Sequence, residues 1–315
     1  MLVMGICAAQ NFGGGRQRGG RGGFGGGFGG GFRGGGGFGR SASSHGVTYS
    51  EGGVPVDQDT VKTAREVESH STGTPNWTNK TGFEKDVVTF VRVIRDRSGN
   101  TDGGSWITDF PDSDLNLSFR IQQVTAMKVD PNGRTLRLTD PDILNYPWIY
   151  MVEVGSLSLE DDEVTALRKY LLNGGVLMVD DFWGERQWNQ FESQIKRALP
   201  ERHFQELDIT HPIFHCVFDL KGSVADLQSP GIMEWRREGS DPRMTWEYHS
   251  GEECRPMHVR AILDDKGRIM VLATFNCDNG DGWEREGEDE EYFNLFSEKR
   301  AYPLGINIIY YLMTH

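Results

Sequence analysis

The chain has 315 residues, 37% hydrophobic and 25% charged, with a formal net charge of −13. That is enough for a sizeable core and for one large α/β domain or two small ones. The first forty residues hold five arginines and no acid, so the remainder sets 28 bases against 46 acids, which argues against nucleic acid and anionic lipid as partners of the body.

In chain order, "MLVMGICAAQ" is short, apolar and ends in small residues, like the tail of a secretory signal. One reading is cleavage near Ala9, a true start upstream and an exported, periplasmic or envelope-associated product; the other is an ordinary apolar N-terminus. Residues 13–40 are almost wholly Gly, Phe and Arg and cannot bury a core, so residues 1–45 read as a signal-like start followed by a disordered tract. The boxes Arg18-Gly-Gly, Arg21-Gly-Gly and Arg33-Gly-Gly resemble RNA-binding tails, although a flexible tether is the simpler reading beside so acidic a body. GxGxxG matches in this tract carry no weight, because no strand precedes them. Residues 46–82, rich in Ser, Thr, Gly and Pro, read as an extended lead-in to a domain spanning 83–315.

"VVTFVRVI", residues 87–94, predicts a buried first strand. "PDSDLNLSFRIQQVTAM" predicts a helix with Pro111 in its first turn and Leu115, Phe119 and Gln122 on one face. "MKVDPNGRTLRL" predicts strand, a turn at Pro131-Asn132-Gly133, and strand; "YPWIYMVEV" is a second continuous apolar strand. "SLEDDEVTALRKYLLNGG" predicts a helix capped by Ser158 with Asp161 in capping-box spacing, a buried stripe of Val164, Leu167 and Leu171, and Gly174 in the left-handed closing position. "VLMVDD" then predicts a strand, followed by a helix with Trp188, Phe191 and Ile195 inward and Pro200 as its stop. "MHVRAILDDKGRIMVLATFN" predicts a hairpin turning at Asp265-Lys266-Gly267. "YPLGINIIYYLMTH" predicts a helix burying Leu304, Ile308, Tyr311 and Leu312. Continuous apolar strands alternating with helices mean a mostly parallel sheet covered on both faces, a three-layer α/β sandwich. No run of about 18 apolar residues exists, so no transmembrane helix is expected in this chain.

The motifs "DVVTFVRVI", "WITDFPDSDLN", "LNGGVLMVDDFWG", "HPIFH" and "NCDNGDGWEREGEDEEYFNLFSEKRAYPLGINIIYYLMTH" occur together and in order. Over residues 83–315 the chain resembles the bacterial domain of unknown function family 4159. The resemblance implies a flavodoxin-like fold similar to class I glutamine amidotransferase-like domains. It also implies export or membrane attachment, and envelope partners such as von Willebrand A-type and MoxR-type ATPase systems.

In open parallel sheets ligands bind beyond the carboxyl ends of the strands, where Asp180 and Asp181 fall. One of them is expected to cap the helix beginning near Glu185. The matching loop of amidotransferase-like folds can carry a nucleophilic cysteine. Here it is "DDFWG", with neither Cys nor Ser, so glutaminase chemistry is not expected. A second loop, "NCDNGDGWEREGEDEE", offers Asn276, Asp278 and Asp281 as oxygen ligands for Ca²⁺ or Mg²⁺, although a solvated acidic loop is the simpler reading. The two loops are expected to face each other, with Asp181 and Asp278 as metal ligands, or with Arg186, Arg285 or Arg300 offsetting the acids.

Four cysteines, at 7, 216, 254 and 277, show no CxxC spacing. Cys277 could act as a displaced nucleophile with His211, His249 or His258, or be an inert buried thiol. Trp183, Trp188, Trp246 and Trp283 could line a carbohydrate cleft or pack the core. The functional expectation is a non-catalytic binding or scaffold module. The alternatives are a metal-assisted hydrolase using Asp180, Asp181, Asp278 and Asp281, and RNA binding through the tail.

Overall fold

The computed structural model describes residues 46–71, 73–82, 86–95, 105–237 and 240–315. The signal-like start and the Arg-Gly-Gly boxes lie outside the described residues. In the lead-in, β1 (Val47–Tyr49) and β2 (Pro55–Asp57) form a small antiparallel sheet, and a short 3₁₀ turn covers Ala64–Glu66. Val56, Val61, Ala64 and Val67 from this segment pack with Ile94, Trp106, Ile107, Phe110 and Leu115.

The main sheet has seven strands. They are β3 (Val91–Val93), β4 (Arg134–Leu136), β5 (Trp148–Val152), β6 (Val176–Asp180), β7 (Gln205–Glu206), β8 (His258–Leu263) and β9 (Ile269–Phe275), in the order β4-β3-β5-β6-β9-β8-β7. From β4 to β9 in that order the pairing is parallel; β8 and β7 add an antiparallel edge. The first strand is shorter than residues 87–94, with an isolated bridge from Val88 to Val129 ahead of it.

The helices are α1 (Asp112–Val124), α2 (Asp161–Leu172), α3 (Gly184–Ala198), α4 (Ile232–Arg237), α5 (Asn279–Glu284) and α6 (Glu290–Tyr292). The last of these runs through a π-helical stretch, Phe293–Ala301, into α7 (Tyr302–Thr314). Strand alternation sorts the layers. Ile149, Met151, Leu177 and Val179 meet Leu167 and Leu171 of α2 and Trp188, Phe191 and Ile195 of α3. Trp148, Tyr150, Val152 and Met178 meet Leu117 and Ile121 of α1 and Leu304 and Ile308 of α7. Each such aliphatic or aromatic side chain contributes about 1.5–3 kcal/mol by leaving water. The result is the expected three-layer, mostly parallel sandwich. Among the described residues no helix is long and apolar enough to cross a membrane.

Two local expectations change. The cap of α2 is Glu160, whose side chain forms a capping box with Glu163, two residues past Ser158. Tyr311 and Leu312 of α7 are only partly buried. In α1, Leu115 is buried but Phe119 and Gln122 are only partly so, and the face toward the core is largely polar: Asp112, Ser113, Asp114, Asn116 and Ser118 are all buried. Asp112 and Asn116 serve Ser69, His70 and Thr74 of the lead-in, and Ser113 and Asp114 serve Arg92 of β3, which is fully buried. Its Nη2 pairs with Asp114 Oδ1 at 2.5 Å and also donates to Ser113 Oγ at 2.8 Å. A buried guanidinium requires such partners, and α1 supplies them beside its buried Leu115, Leu117 and Ile121.

Candidate functional site

The carboxyl ends of the strands share one backbone oddity. Among the described residues five non-glycines adopt positive φ, and four of them lie at this edge. Glu153 follows β5 (φ 50°), Asp181 follows β6 (φ 52°), Asn276 follows β9 (φ 58°), and Asp109 lies beyond β3 (φ 63°). The left-handed region strains residues that carry a Cβ, and such strain persists where the surroundings hold it in place.

The loops after β6 and β9 are bound to each other. The N–H of Asp181 donates to the Cys277 carbonyl at 3.1 Å, and the N–H of Asn276 donates to the Phe182 carbonyl at 3.0 Å. The helix caps are exchanged between them. Asp180 accepts from the N–H groups of Asn279 (2.9 Å) and Gly280 (3.0 Å), the first turn of α5. Asn276 Oδ1 accepts from the N–H of Gly184, which opens α3, at 2.9 Å. Neither aspartate caps α3, contrary to expectation. Left-handed Asp181 turns its side chain back to accept from Trp183 Nε1 at 2.8 Å, and Asp180 points across to the neighbouring loop.

Carboxyl groups concentrate here. One ligand oxygen each from Asp181, Glu247 and Asp278 lies within 4.8 Å of the others, and a second such group comprises Asp109, Asp281 and Glu284. The two adjoin beside Gly231. A Cβ there would sit 3.2 Å from Asp278 Oδ2, 3.3 Å from Asp281 Oδ2 and 3.4 Å from Glu247 Oε1, so a side chain would make these oxygens give by a few tenths of an ångström.

Burial raises the Asp278 carboxyl well above its ordinary range, and neighbouring Asp181 and Asp281 raise it further. Asp181 is raised by burial and then by Glu153 and Glu247, and Asp109 by burial and then by Glu284 and Asp281. Asp180 is pushed up to only about 6. Burial raises it, while hydrogen bonds from Thr274, Asn279 and Gly280 favour its charged form.

Arg285 is the base among these acids. Its Nε lies 2.9 Å from Asp281 Oδ1 and 2.8 Å from Glu284 Oε2, and it also pairs with Glu51 and Glu288. Burial works to lower its pKa, but these carboxylates hold it raised. Arg186 is exposed on α3, and Arg300 donates to the Gln228 carbonyl at 2.5 Å. Asp181 and Asp278 make no ion pair among the described residues.

The structure brings Asp180, Asp181, Asn276, Asp278 and Asp281 together. The tryptophans are core: Trp183, Trp188 and Trp246 are buried, and Trp283 is fully enclosed with its Nε1 donating to the Ala301 carbonyl. Cys277 is fully buried, accepts from the Ser229 N–H at 3.4 Å, and burial pushes its thiol well above the ordinary value. His211 accepts from the Ile213 N–H and His258 pairs with Glu206; the side chain of His249 lies outside the described ones. An activated nucleophile needs the opposite surroundings.

Asp109, Glu247 and Glu284 escape a sequence reading. Glu284 sits in the run "WEREGEDEE", which looks solvated throughout. Asp109 is flagged only by its position inside the apolar "WITDFP".

No curated protein matches the chain. A family model matches residues 89–313, most of the chain, and the protein belongs to that family, described as a domain of unknown function, DUF4159.

Proposed function

We propose that the chain is a non-catalytic binding module that holds a hard divalent cation in its acidic cleft through Asp181, Glu247 and Asp278. The observation that carries this is the convergence of three carboxyl oxygens within 4.8 Å, two of them from residues without an ion pair. Like charges so placed repel, and a cation of the Ca²⁺ or Mg²⁺ class, which takes oxygen ligands, reverses that repulsion. The inert Cys277 and the nucleophile-free loop "DDFWG" support binding over acyl transfer. Metal-assisted hydrolysis at this cleft would also require the cation, so one test addresses both readings.

Chelator-treated protein should gain about 5 °C or more in Tm when Ca²⁺ or Mg²⁺ is raised to a hundredfold over Kd. Asp181→Asn and Asp278→Asn should abolish that gain, whereas Asp162→Asn, an exposed acid on α2, should keep it. A gain that survives both cleft variants, or none in the parent, would refute the assignment. For location, we propose the cell envelope, supported by the family resemblance. Fractionation that finds the native protein wholly in the cytosol would remove that proposal.

A further inference from the structure

The lead-in delivers a histidine to the acidic end of the sheet, beside the group just described. His70 Nδ1 lies 2.9 Å from Asp112 Oδ2, and Asp112 has a fully buried side chain. That carboxylate is fixed in turn by the Ser69 hydroxyl and by the N–H of His70 at 3.0 Å. The imidazole therefore presents Nε2, which lies 3.0 Å from Glu284 Oε1 and 3.4 Å from Arg285 Nη1. One ligand atom each from Glu51, His70 and Glu284 lies within 4.8 Å of the others.

A second observation adjoins this group through Glu284. Glu284 is shared with the group Asp109, Asp281 and Glu284. In that group Asp109 Oδ2 makes no hydrogen bond among the described residues, although Asp109 is 1% exposed. A buried carboxylate oxygen without a donor is costly and calls for a partner.

We propose that His70, Glu51 and Glu284 form a binding site for a borderline transition cation of the zinc class, with Asp109 as a further oxygen donor. Asp112 is the positioning residue. Its carboxylate holds the ring by the ion-pair contact with Nδ1, which is not aligned as a hydrogen bond in this structure, and so leaves Nε2 toward the metal. One nitrogen with carboxylate oxygens suits zinc or manganese, whereas calcium and magnesium favour oxygen alone. Arg285 bridges Glu51 and Glu284 in this structure, and its other carboxylate partners, Asp281 at 2.9 Å and Glu288 at 3.2 Å, would remain to it when a cation takes those two. The donors come from the lead-in, from the loop before α1 and from α5, and none of them is Asp181, Glu247 or Asp278.

The test is isothermal titration of the full chelator-treated chain with Zn²⁺ and, separately, Ca²⁺, with Co²⁺ absorption reporting nitrogen ligation. Zn²⁺ should bind near one equivalent. His70→Gln and Glu51→Gln should each weaken it tenfold or more and reduce the Co²⁺ visible bands. Asp181→Asn should leave Zn²⁺ binding within twofold. Glu51 is exposed, so Glu51→Gln keeps the test valid even if His70→Gln unfolds the chain. No Zn²⁺ binding, unchanged binding in Glu51→Gln, or loss in Asp181→Asn would each overturn the proposal. The Ca²⁺ arm reads the other site alone, so either proposal can fail without the other.

Discussion

The two ends of the sheet close in different ways. At the amino end, Pro147, Gly174, the β8–β9 turn and the end of α7 come together around a shallow cleft. Positive φ there is carried by glycine, 102° at Gly174 and 82° at Gly267. Asp264 accepts from the N–H groups of Lys266 and Arg268 and pairs with Arg268 Nε at 3.1 Å, so its charge is matched within one turn. At the carboxyl end, positive φ falls on Asp109, Glu153, Asp181 and Asn276, and acids outnumber the bases that reach them. Glycine would relieve the strain at these four positions, of the order of 1 kcal/mol each, but would remove the oxygens. The amino end is built for stability, and the carboxyl end retains side chains at a stability cost. That contrast is what marks it as a site.

The largest way to break the contrast is at Asp180. It accepts five hydrogen bonds: Thr274 Oγ1 at 2.5 Å, Asn279 N–H at 2.9 Å, Asn279 Nδ2 at 2.9 Å, Gly280 N–H at 3.0 Å and, more weakly, the Tyr150 hydroxyl at 3.5 Å. Asp180→Ala orphans buried donors and should cost about 3–5 kcal/mol. Asp264→Ala, at the exposed amino-end turn, should cost about 1 kcal/mol. Urea melts of the two variants measure the difference. Equal costs would mean that the carboxyl end is no more tightly organised than an ordinary hairpin.

The next effect is pH, and its sign differs between the ends. Asp180 titrates near 6 in the fold against 3.8 unfolded, so its contribution is fully present below 3.8 and is lost as pH rises through about 6. Asp109, Asp181 and Asp278 are raised further and extend the loss upward. His70, raised to about 10 first by Asp112 and then by Glu284, stabilises fully below 6.5 and loses that contribution as pH climbs toward 10. Chelated protein should therefore be less stable at pH 8 than at pH 5, by at least about 1 kcal/mol, and added cation should shrink the gap. Asp264 has the opposite sign. Burial works to raise it, but the N–H groups of Arg268 and Lys266 hold it below its ordinary value, so its contribution is lost in acid. A chelated chain that is most stable at pH 8 would show that the cleft acids are better paired than their geometry indicates.

Apolar continuity made the sheet legible. Residues 148–152, 176–180 and 269–275 are buried on both sides and read as strands without ambiguity. The stripe of Trp188, Phe191 and Ile195 made α3 equally plain. The meeting of the two loops was legible too, because both follow such strands. The rest was not, for two physical reasons. Charge is a local property of sequence whereas burial is not, so Glu284, fully enclosed, cannot be told from exposed Glu290 a few residues on. A buried ion pair also erases periodicity: Arg92 draws the polar side of α1 inward, and no spacing rule anticipates that. His70 and Glu51 come from a stretch whose composition suggests only extended chain, yet it supplies two donors to the acidic end.

Glycine substitutions sharpen the contrast on a smaller scale. A Cβ at Gly280 would overlap the Asp109 carboxylate, whereas a Cβ at Gly267 meets nothing within 4 Å. Gly280→Ala should cost about 2 kcal/mol by overpacking. In an Asp109→Gly background most of that cost should vanish, a coupling that a double-mutant cycle measures directly. If the two effects simply add, Asp109 does not press on α5.

The smallest effect is the most pointed. Asp109→Gly removes a left-handed residue with a Cβ and a buried oxygen that has no donor. Both changes favour the fold, so the metal-free variant should gain about 1 kcal/mol, roughly 2 °C in Tm for a chain of this size. Gly267→Ala, at φ 82° and with open space around its Cα, should lose about the same amount through backbone strain alone. The two ends thus answer opposite substitutions with opposite signs, and zinc should narrow the gap between Asp109→Gly and the parent by favouring the parent. Destabilisation by Asp109→Gly in chelator would mean that this carboxyl holds the fold together. In that case its oxygen already has a structural task, and its place among the cation's donors must be given up.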